Sequence, residues 1–201
     1  MREIELSRGT TALVDDEDFE RISLHSWALN PQGNYAVRKG NRRRGEPRTV
    51  QMHREVLNPA SGVQVDHING NTLDNRKENL RLVDTQKNAF NRAKPNVPCT
   101  SVYKGVFRRK NKPNWQARIK YNDKHIELGT YVKESYAAAV YNFAAAIFFG
   151  EYRRENVGAE IPSLADADKL AVYRKCKRAI QKHGWYVDTE AYRSFHFKEA
   201  V

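Results

Sequence analysis

Asp66, His67, Asn79 and Asn88 are the side chains whose types and spacing could do chemistry in this chain. Asp66 offers an anionic oxygen and Asn88 a neutral one, which suit Mg²⁺ or Mn²⁺ and leave coordination positions for water and a phosphate. An imidazole titrates near neutral pH, so His67 could take a proton from water as a general base. Together these residues predict a single-metal site for the hydrolysis of phosphodiester bonds.

A β-hairpin followed by a helix would bring these residues together. An apolar strand delivers Asp66 and His67, and a polar loop returns the chain into a second strand at 79–83. Asp84 then favours the start of a helix that carries Asn88. Side chains alternate between the two faces of a strand, which keeps His67 away from a cation bound by Asp66.

The motif resembles the HNH endonucleases, and specifically the homing branch encoded by phages and introns, in which the motif often ends in Asn. The resemblance implies that Asp66 and Asn88 are metal ligands and that His67 is the general base. It also implies that Asn79 braces the loop so that the imidazole is held in position. Zinc-type HNH sites end in His instead, so Asn88 favours Mg²⁺ or Mn²⁺ over Zn²⁺.

Other polar residues near the motif are better explained by local structure. Asn71 and Asn75 lie in sequences typical of turns, where we expect their side chains to satisfy nearby backbone groups. His53 belongs to a Met-His-Arg segment that is common ahead of the motif in homing HNH proteins. His53 could approach the same cleft, but a packing role is the favoured interpretation.

The chain is strongly basic, with 35 Lys and Arg against 24 Asp and Glu in 201 residues and a net charge of +11. Cations that neutralise phosphates release counterions, so double-stranded DNA is the expected partner, and an RNA partner ranks last. We found no apolar run near the roughly 20 residues that span a bilayer and no secretory segment. We therefore expect a soluble cytoplasmic protein of a bacterial host, encoded by a phage or mobile element. Cys99 and Cys176 indicate neither a disulfide framework nor a zinc ribbon.

The predicted fold class is α+β, with a small β-rich region leading into a ββα-metal unit at about 62–93. The predicted domains are 1–94 for the HNH endonuclease domain, 95–101 for a linker, 102–156 for a second domain, and 157–201 for a C-terminal helical extension of unassigned role. The segment 96–155 is the most cationic, with 11 Lys and Arg and five Asp and Glu.

The second domain shows three segments of alternating apolar and polar residues, which predict a three-stranded antiparallel sheet, followed by an Ala-rich helix at 134–149. One face of this helix would pack on the sheet. The block resembles the ethylene-response-factor (Apetala-two) type of DNA-binding domain over nearly its full length. The residues that carry this resemblance are Tyr103, Gly105, Val106, Trp115, Ala117, Ile119, Leu128, Gly129, Thr130, Tyr131, Ala138, Ala139, Tyr141, Ala144 and Ala145.

The sheet face opposite the helix is expected to meet DNA through cationic side chains. The candidate DNA contacts of this domain are Lys104, Arg108, Arg109, Arg118 and Lys120. Phe107, Arg118 and the residues around Lys110 depart from the plant pattern, so the base preference of that family does not carry over. In the first domain, Arg42, Arg43 and Arg44 form a run in a Gly-bounded loop, for which we favour phosphate contact over a solvated role.

These features predict a homing-type, site-specific DNA endonuclease that acts as a monomer and nicks one strand, with a dimer as the alternative arrangement. The competing function is a non-catalytic DNA-binding regulator that retains the HNH scaffold. The intact Asp66, His67 and Asn88 argue against that alternative.

Overall fold

The structure is a computed structural model that describes residues 1–7, 9–32, 34–83, 91 and 100–199. The chain divides into two compact units, unit 1 (Met1–Asn91) and unit 2 (Arg92–Val201). Helices and strands occur in both units, which confirms the predicted α+β class. The strands are β1 (Arg2–Ser7), β2 (Thr10–Val14), β3 (Trp27–Leu29), β4 (Ala36–Lys39), β5 (Thr49–Gln51), β6 (Gln64–His67), β7 (Leu80–Val83), β8 (Val106–Phe107), β9 (Trp115–Tyr121) and β10 (Lys124–Tyr131). The α-helices whose bounds lie within the described residues are α1 (Asp16–Ser23), α2 (Met52–Leu57), α3 (Glu134–Phe149), α4 (Asp166–His183) and α5 (Glu190–Glu199).

A five-stranded sheet in the order β2-β1-β3-β4-β5 forms the platform of unit 1. β1 runs parallel to β3, and the other neighbouring strands are antiparallel. In β1, exposed Glu3 and Glu5 alternate with buried Ile4 and Leu6, so one face of the sheet enters the core. Helices α1 and α2 contribute buried apolar side chains to the same core.

The loop that joins β6 to β7 is anchored to this platform by β2. Leu13 donates its N–H to the carbonyl of Leu73 at 2.8 Å and accepts the N–H of Asn75 at 2.8 Å. The N–H of Lys77 donates to Oδ2 of Asp15 at 2.8 Å, just beyond the end of β2. The N-terminal sheet therefore sets the position of the loop between the two strands of the hairpin.

Unit 2 contains an antiparallel sheet in the order β8-β9-β10, with α3 packed on one face. Asn122 and Asp123 have φ values of 45° and 60°, which suit the tight turn between the twisted strands β9 and β10. β8 comprises only two residues, Val106 and Phe107. Gly105, just before β8, has a φ of 73°, and an added Cβ there would lie 2.0 Å from the ring of Tyr141, so the extended chain begins only after it.

Helix α3 is buried on most of its sides, whereas the sequence predicted a single packing face. Ala138, Tyr141, Ala145 and Phe148 are buried as predicted, and Val140 is buried as well. The reason is that α4 and α5 also pack on α3. The many Ala side chains allow these elements to approach the helix closely.

The residues after α3 form two helices within unit 2. α4 begins at Asp166 and buries Tyr173, Cys176 and Ile180. α5 follows near the end of the chain, and Thr189 ahead of it donates its hydroxyl to the carbonyl of Ile147 at 2.7 Å. Among the helices of the described ranges, none is both long and apolar enough to cross a membrane.

Candidate active site

Asp66 lies in β6 with 8% of its area exposed. Arg81, its partner across the hairpin, donates Nε and Nη2 to Oδ2 of Asp66 at 2.9 and 2.7 Å. Nδ2 of Asn91 lies 3.1 Å from both carboxylate oxygens of Asp66 and donates to the carbonyl of His67 at 2.8 Å. The carboxylate is therefore oriented by both a guanidinium and an amide.

The oxygens of Asp66 fit a hard divalent cation, because Mg²⁺ and Mn²⁺ prefer carboxylate oxygen. Oδ2 accepts both Arg81 bonds, whereas Oδ1 accepts only the shared amide of Asn91 among the described residues. Asn88, the second predicted ligand, lies outside the described residues. In the part of the chain that the structure describes, no three His, Cys, Asp or Glu side chains are grouped as a metal site.

His67 is buried in a cluster of rings, with 4% of its area exposed. Its Nε2 lies 3.4 Å from Oδ1 of Asn75. The ring of His53 meets it edge to face at 5.1 Å and 90°, and the ring centroid of Tyr35 lies 6.1 Å away. Burial lowers the pKa of His67, against the opposing effects of the Asn75 hydrogen bond and two nearby aspartates. The imidazole is therefore neutral near pH 7, which is the form that can accept a proton.

His53 has the packing role that the sequence favoured, and the ring on which it packs is that of His67. His53 is 5% exposed, and its ring also contacts Tyr35 at 5.4 Å. Burial, followed by the charges of His67 and Arg54, lowers the pKa of His53 to about 3. A neutral ring thus lies directly against the candidate base.

Asn79 is buried and holds both ends of the loop that follows the Asp-His pair. Its Oδ1 accepts the N–H of Asn69 at 2.9 Å, and its Nδ2 donates to the carbonyl of Asp74 at 2.8 Å. The backbone carbonyl of Asn79 also accepts the N–H of Ile68 at 2.8 Å. These bonds fix the path of the chain directly after His67, which is what a loop-bracing role requires.

The sequence interpretation missed the contacts that Asn75 and Asn91 make in the site. Asn75 was assigned only a turn role, whereas its Oδ1 faces His67; Asn71 does make local turn contacts. Asn91 was not singled out, although it follows Asn88 by three residues, a spacing that places side chains on one face of a predicted helix. That spacing could have identified Asn91, but the contact of Asn75 depends on the fold.

The open face of the unit 2 sheet carries cationic side chains. Ala117 and Ile119 are buried on the side of α3, so the alternating residues Arg118 and Lys120 lie on the opposite face. The guanidinium carbon of Arg118 lies 4.7 Å from the ring centroid of Phe107. Strand alternation predicted these two cations on this face, and the ring of Phe107 lies beside one of them.

The remaining predicted contacts of unit 2 lie outside the strands. Arg108 and Arg109 are exposed just after β8, and the guanidinium carbon of Arg108 lies 4.9 Å from the ring centroid of Trp115. Lys104 lies in a turn before β8 and lines a small cavity with Arg154. Burial, followed by the charge of Arg154, lowers the pKa of Lys104 to about 8. The strand alternation that was expected to place Lys104 on the open face therefore does not apply to it.

In unit 1, the three arginines Arg42–Arg44 form an exposed 3₁₀ turn. Oδ1 of Asn41 accepts the N–H of Arg43 at 3.0 Å and so caps this turn. The carboxylate of Glu46 accepts the N–H of Asn41 at 2.7 Å and Nη1 of Arg38 at 2.8 Å. The arginines are thus presented from an ordered loop.

The chain belongs to the HNH endonuclease family, whose model matches residues 58–90, the segment that contains the β6–β7 hairpin. An uncharacterized HNH endonuclease of Acanthamoeba polyphaga mimivirus is 30% identical over 158 residues, which cover 74% of this chain and 76% of the viral protein. Membership of this family makes the chain a nuclease and confirms that part of the prediction. Unit 1 is less than half of the chain, so the similarity to the viral protein extends into unit 2.

Proposed function

We propose that the chain is a homing-type endonuclease that hydrolyses phosphodiester bonds of double-stranded DNA at unit 1. The observation that carries this proposal is the buried imidazole of His67 next to the oriented carboxylate of Asp66, in a chain of the HNH endonuclease family. A general base and an anionic metal ligand are the two groups that metal-assisted hydrolysis requires.

In this mechanism His67 takes a proton from water, and the resulting hydroxide oxygen attacks the phosphorus atom. The bond from phosphorus to the 3′ oxygen breaks, and the leaving oxygen takes a proton from solvent water, which leaves a 5′ phosphate and a 3′ hydroxyl. Asp66 and Asn88 would hold Mg²⁺ or Mn²⁺, which when bound supplies charge stabilisation for the phosphate and the leaving 3′ oxygen. Asn79 keeps the loop after His67 in place, and Arg81 and Asn91 orient Asp66.

We infer that unit 2 is an ethylene-response-factor-like domain that binds the DNA duplex. Its three-stranded sheet with a helix on one face and cations on the other supports this role. The proposed DNA contacts are Arg108, Arg109, Arg118 and Lys120, with Lys104 from the preceding turn and Arg42, Arg43 and Arg44 from unit 1. Phosphate contacts of this kind position a protein on DNA, while base contacts supply sequence preference.

Cleavage of supercoiled plasmid and genomic DNA at low salt tests the proposal. Wild type should produce nicked or linear products with Mg²⁺ or Mn²⁺ and none with EDTA, and His67→Ala should be inactive. His183→Ala, which changes an exposed histidine of unit 2, is the matched control and should retain activity. Binding without cleavage on all of these DNAs would instead favour the non-catalytic regulator.

Sequencing of the cleaved ends distinguishes a homing enzyme from a general nuclease. A homing-type enzyme should cut genomic DNA at one or a few preferred sites, and the ratio of nicked to linear product reports whether one strand or both are cut. Ends distributed evenly over the genome would contradict the homing type while leaving the nuclease activity intact.

A further inference from the structure

We propose that Asn75 is a positioning residue: its side-chain oxygen holds His67 in the tautomer that carries hydrogen on Nε2, so that Nδ1 is the nitrogen that takes the proton from water. This inference rests on the proposed role of His67 as the base. Asn75 itself touches neither the substrate nor the reacting atoms.

The contacts of Oδ1 and Nδ2 together define the orientation of the Asn75 side-chain amide. Nδ2 donates to the carbonyl of Leu73 at 3.1 Å, so a reversed amide would place oxygen against oxygen. Oδ1 is therefore the atom that lies 3.4 Å from Nε2 of His67. An amide oxygen only accepts hydrogen bonds, so Nε2 carries the hydrogen and Nδ1 keeps the lone pair.

Asn75 is held in turn by the N-terminal sheet. It is 1% exposed, and its backbone N–H donates to the carbonyl of Leu13 in β2 at 2.8 Å. Leu13 also forms a parallel bridge with Asp74, the residue before Asn75. The side-chain oxygen of Asn75 that faces His67 is thus positioned by β2, a strand far away in the sequence.

Two neighbouring rings restrict reorientation of the imidazole. His53 packs edge to face on His67, and Tyr35 contacts both histidines, with centroid distances of 5.1 to 6.1 Å among the three rings. A half-turn of the His67 ring would exchange its nitrogen and carbon positions and would require these packed neighbours to move. Asn75 therefore selects the tautomer, while His53 and Tyr35 maintain the ring orientation.

The hydrogen bond also matters once the proton has been transferred. Uptake of a water proton at Nδ1 leaves an imidazolium with hydrogen on both nitrogens. A hydrogen bond from a charged donor is stronger than one from a neutral donor. Oδ1 of Asn75 would therefore stabilise the protonated base as well as select the reactive tautomer.

The tautomer of His67 can be measured by NMR in metal-free protein without DNA. Long-range ¹H–¹⁵N correlations of ¹⁵N-histidine distinguish protonated from unprotonated ring nitrogens, and the His67 signals are those missing from His67→Gln. In wild type at pH 8 we expect a protonated Nε2 and an unprotonated Nδ1. The opposite pattern, or a mixture, would overturn the proposal. Because no cleavage is measured, this result is independent of whether the proposed function is correct.

Variants of Asn75 test the consequence for catalysis. Asn75→Leu removes the acceptor and should give mixed tautomers and a kcat lowered at least about tenfold, within the ~10²–10⁴-fold that a general base supplies, with KM little changed. Asn75→Asp keeps the oxygen that faces His67 but loses the bond to the carbonyl of Leu73, so it should restore the Nε2–H form and only part of kcat. Asn71→Leu, in an exposed position of the same loop, is the matched control. A folded Asn75→Leu with the wild-type tautomer and kcat would contradict the proposal.

Discussion

Arg81 directs two guanidinium nitrogens, Nε and Nη2, at a single oxygen of Asp66, at distances of 2.9 and 2.7 Å. Both side chains are largely buried, with 15% of the side-chain area of Arg81 and 9% of that of Asp66 exposed. A carboxylate in such surroundings is costly unless its charge is compensated. Arg81 supplies that compensation. It binds the same carboxylate that we propose as a ligand of the metal ion.

Arg81→Ala is expected to destabilise unit 1 in EDTA and much less in Mn²⁺. Removal of one partner of a buried ion pair costs about 3–5 kcal/mol, and a divalent cation bound by Asp66 would replace the lost positive charge. Urea unfolding can be followed through the indole N–H of Trp27, a buried group of unit 1 that donates to the carbonyl of Ile22 at 2.8 Å.

An Asp66→Asn background provides the control for this experiment, because no carboxylate charge then remains to be compensated. Adding Arg81→Ala to that background should cost much less stability, and Mn²⁺ should have little effect. An equal loss of stability for Arg81→Ala in EDTA and in Mn²⁺ would contradict Asp66 as a metal ligand.

Asn79→Ala is expected to lower the free energy of unfolding of unit 1, since it removes both bonds that the side chain makes to the loop backbone. Leaving a buried group unsatisfied costs about 1–3 kcal/mol. The N–H of Asn69 should also exchange faster with solvent, because its acceptor is Oδ1 of Asn79. Asn71→Ala is the control in the same loop, and equal protection of the Asn69 amide in wild type and Asn79→Ala would argue against the bracing role.

The short-range relationships of the site could be predicted from the sequence, because they follow from strand alternation and hairpin closure. Asp66 and His67 are neighbours on β6, and Asn79 immediately precedes β7, the strand that pairs with β6. The contacts of His67 with His53 and Asn75 could not be predicted in this way. They depend on how α2 and β2 pack in unit 1.

In unit 2, the alternation of side chains along a strand predicted that Arg118 and Lys120 lie on the sheet face opposite α3. This prediction holds because apolar and polar residues alternate regularly in β9. The alternation failed at Lys104, because the positive φ at Gly105 interrupts the extended chain before β8. The second buried side of α3 was also missed, because the helices that cover it come from much later in the chain.

His53→Phe is expected to make unit 1 less sensitive to acid. Burial lowers the pKa of His53 to about 3 from an ordinary value of 6.5, so the unfolded chain takes up this proton at a higher pH than the folded protein. The contribution of neutral His53 to the free energy of unfolding is fully present above about pH 6.5. It is lost as the pH falls toward 3, at up to about 1.4 kcal/mol per pH unit. Phenylalanine keeps a ring at this position but cannot titrate.

Unfolding free energies measured between pH 7 and 5, again from the Trp27 indole signal, test this expectation. The loss of stability on acidification should be smaller in His53→Phe than in wild type, and His183→Phe, at an exposed position of unit 2, should behave like wild type. Identical pH slopes for wild type and His53→Phe would show that His53 does not titrate differently in the folded and unfolded states.

The open sheet face of unit 2 yields a prediction about DNA affinity. Arg118 lies beside Phe107 and 3.9 Å from Glu127, so its side chain is oriented although it remains 38% exposed. A guanidinium held in this way can contact a phosphate or a base edge with little loss of side-chain freedom. Lys182, exposed on α4, carries the same charge elsewhere in unit 2.

Arg118→Gln should therefore weaken duplex binding more than Lys182→Gln, although both lower the net charge equally. If Arg118 neutralises one phosphate, the slope of log Kd against log salt should fall by about 0.9. A base contact would instead relax sequence preference and leave the slope nearly unchanged. Fluorescence anisotropy in the His67→Ala background measures both quantities without cleavage. Equal effects of the two substitutions would mean that unit 2 contributes only general charge, and that its open sheet face is not the DNA-binding surface.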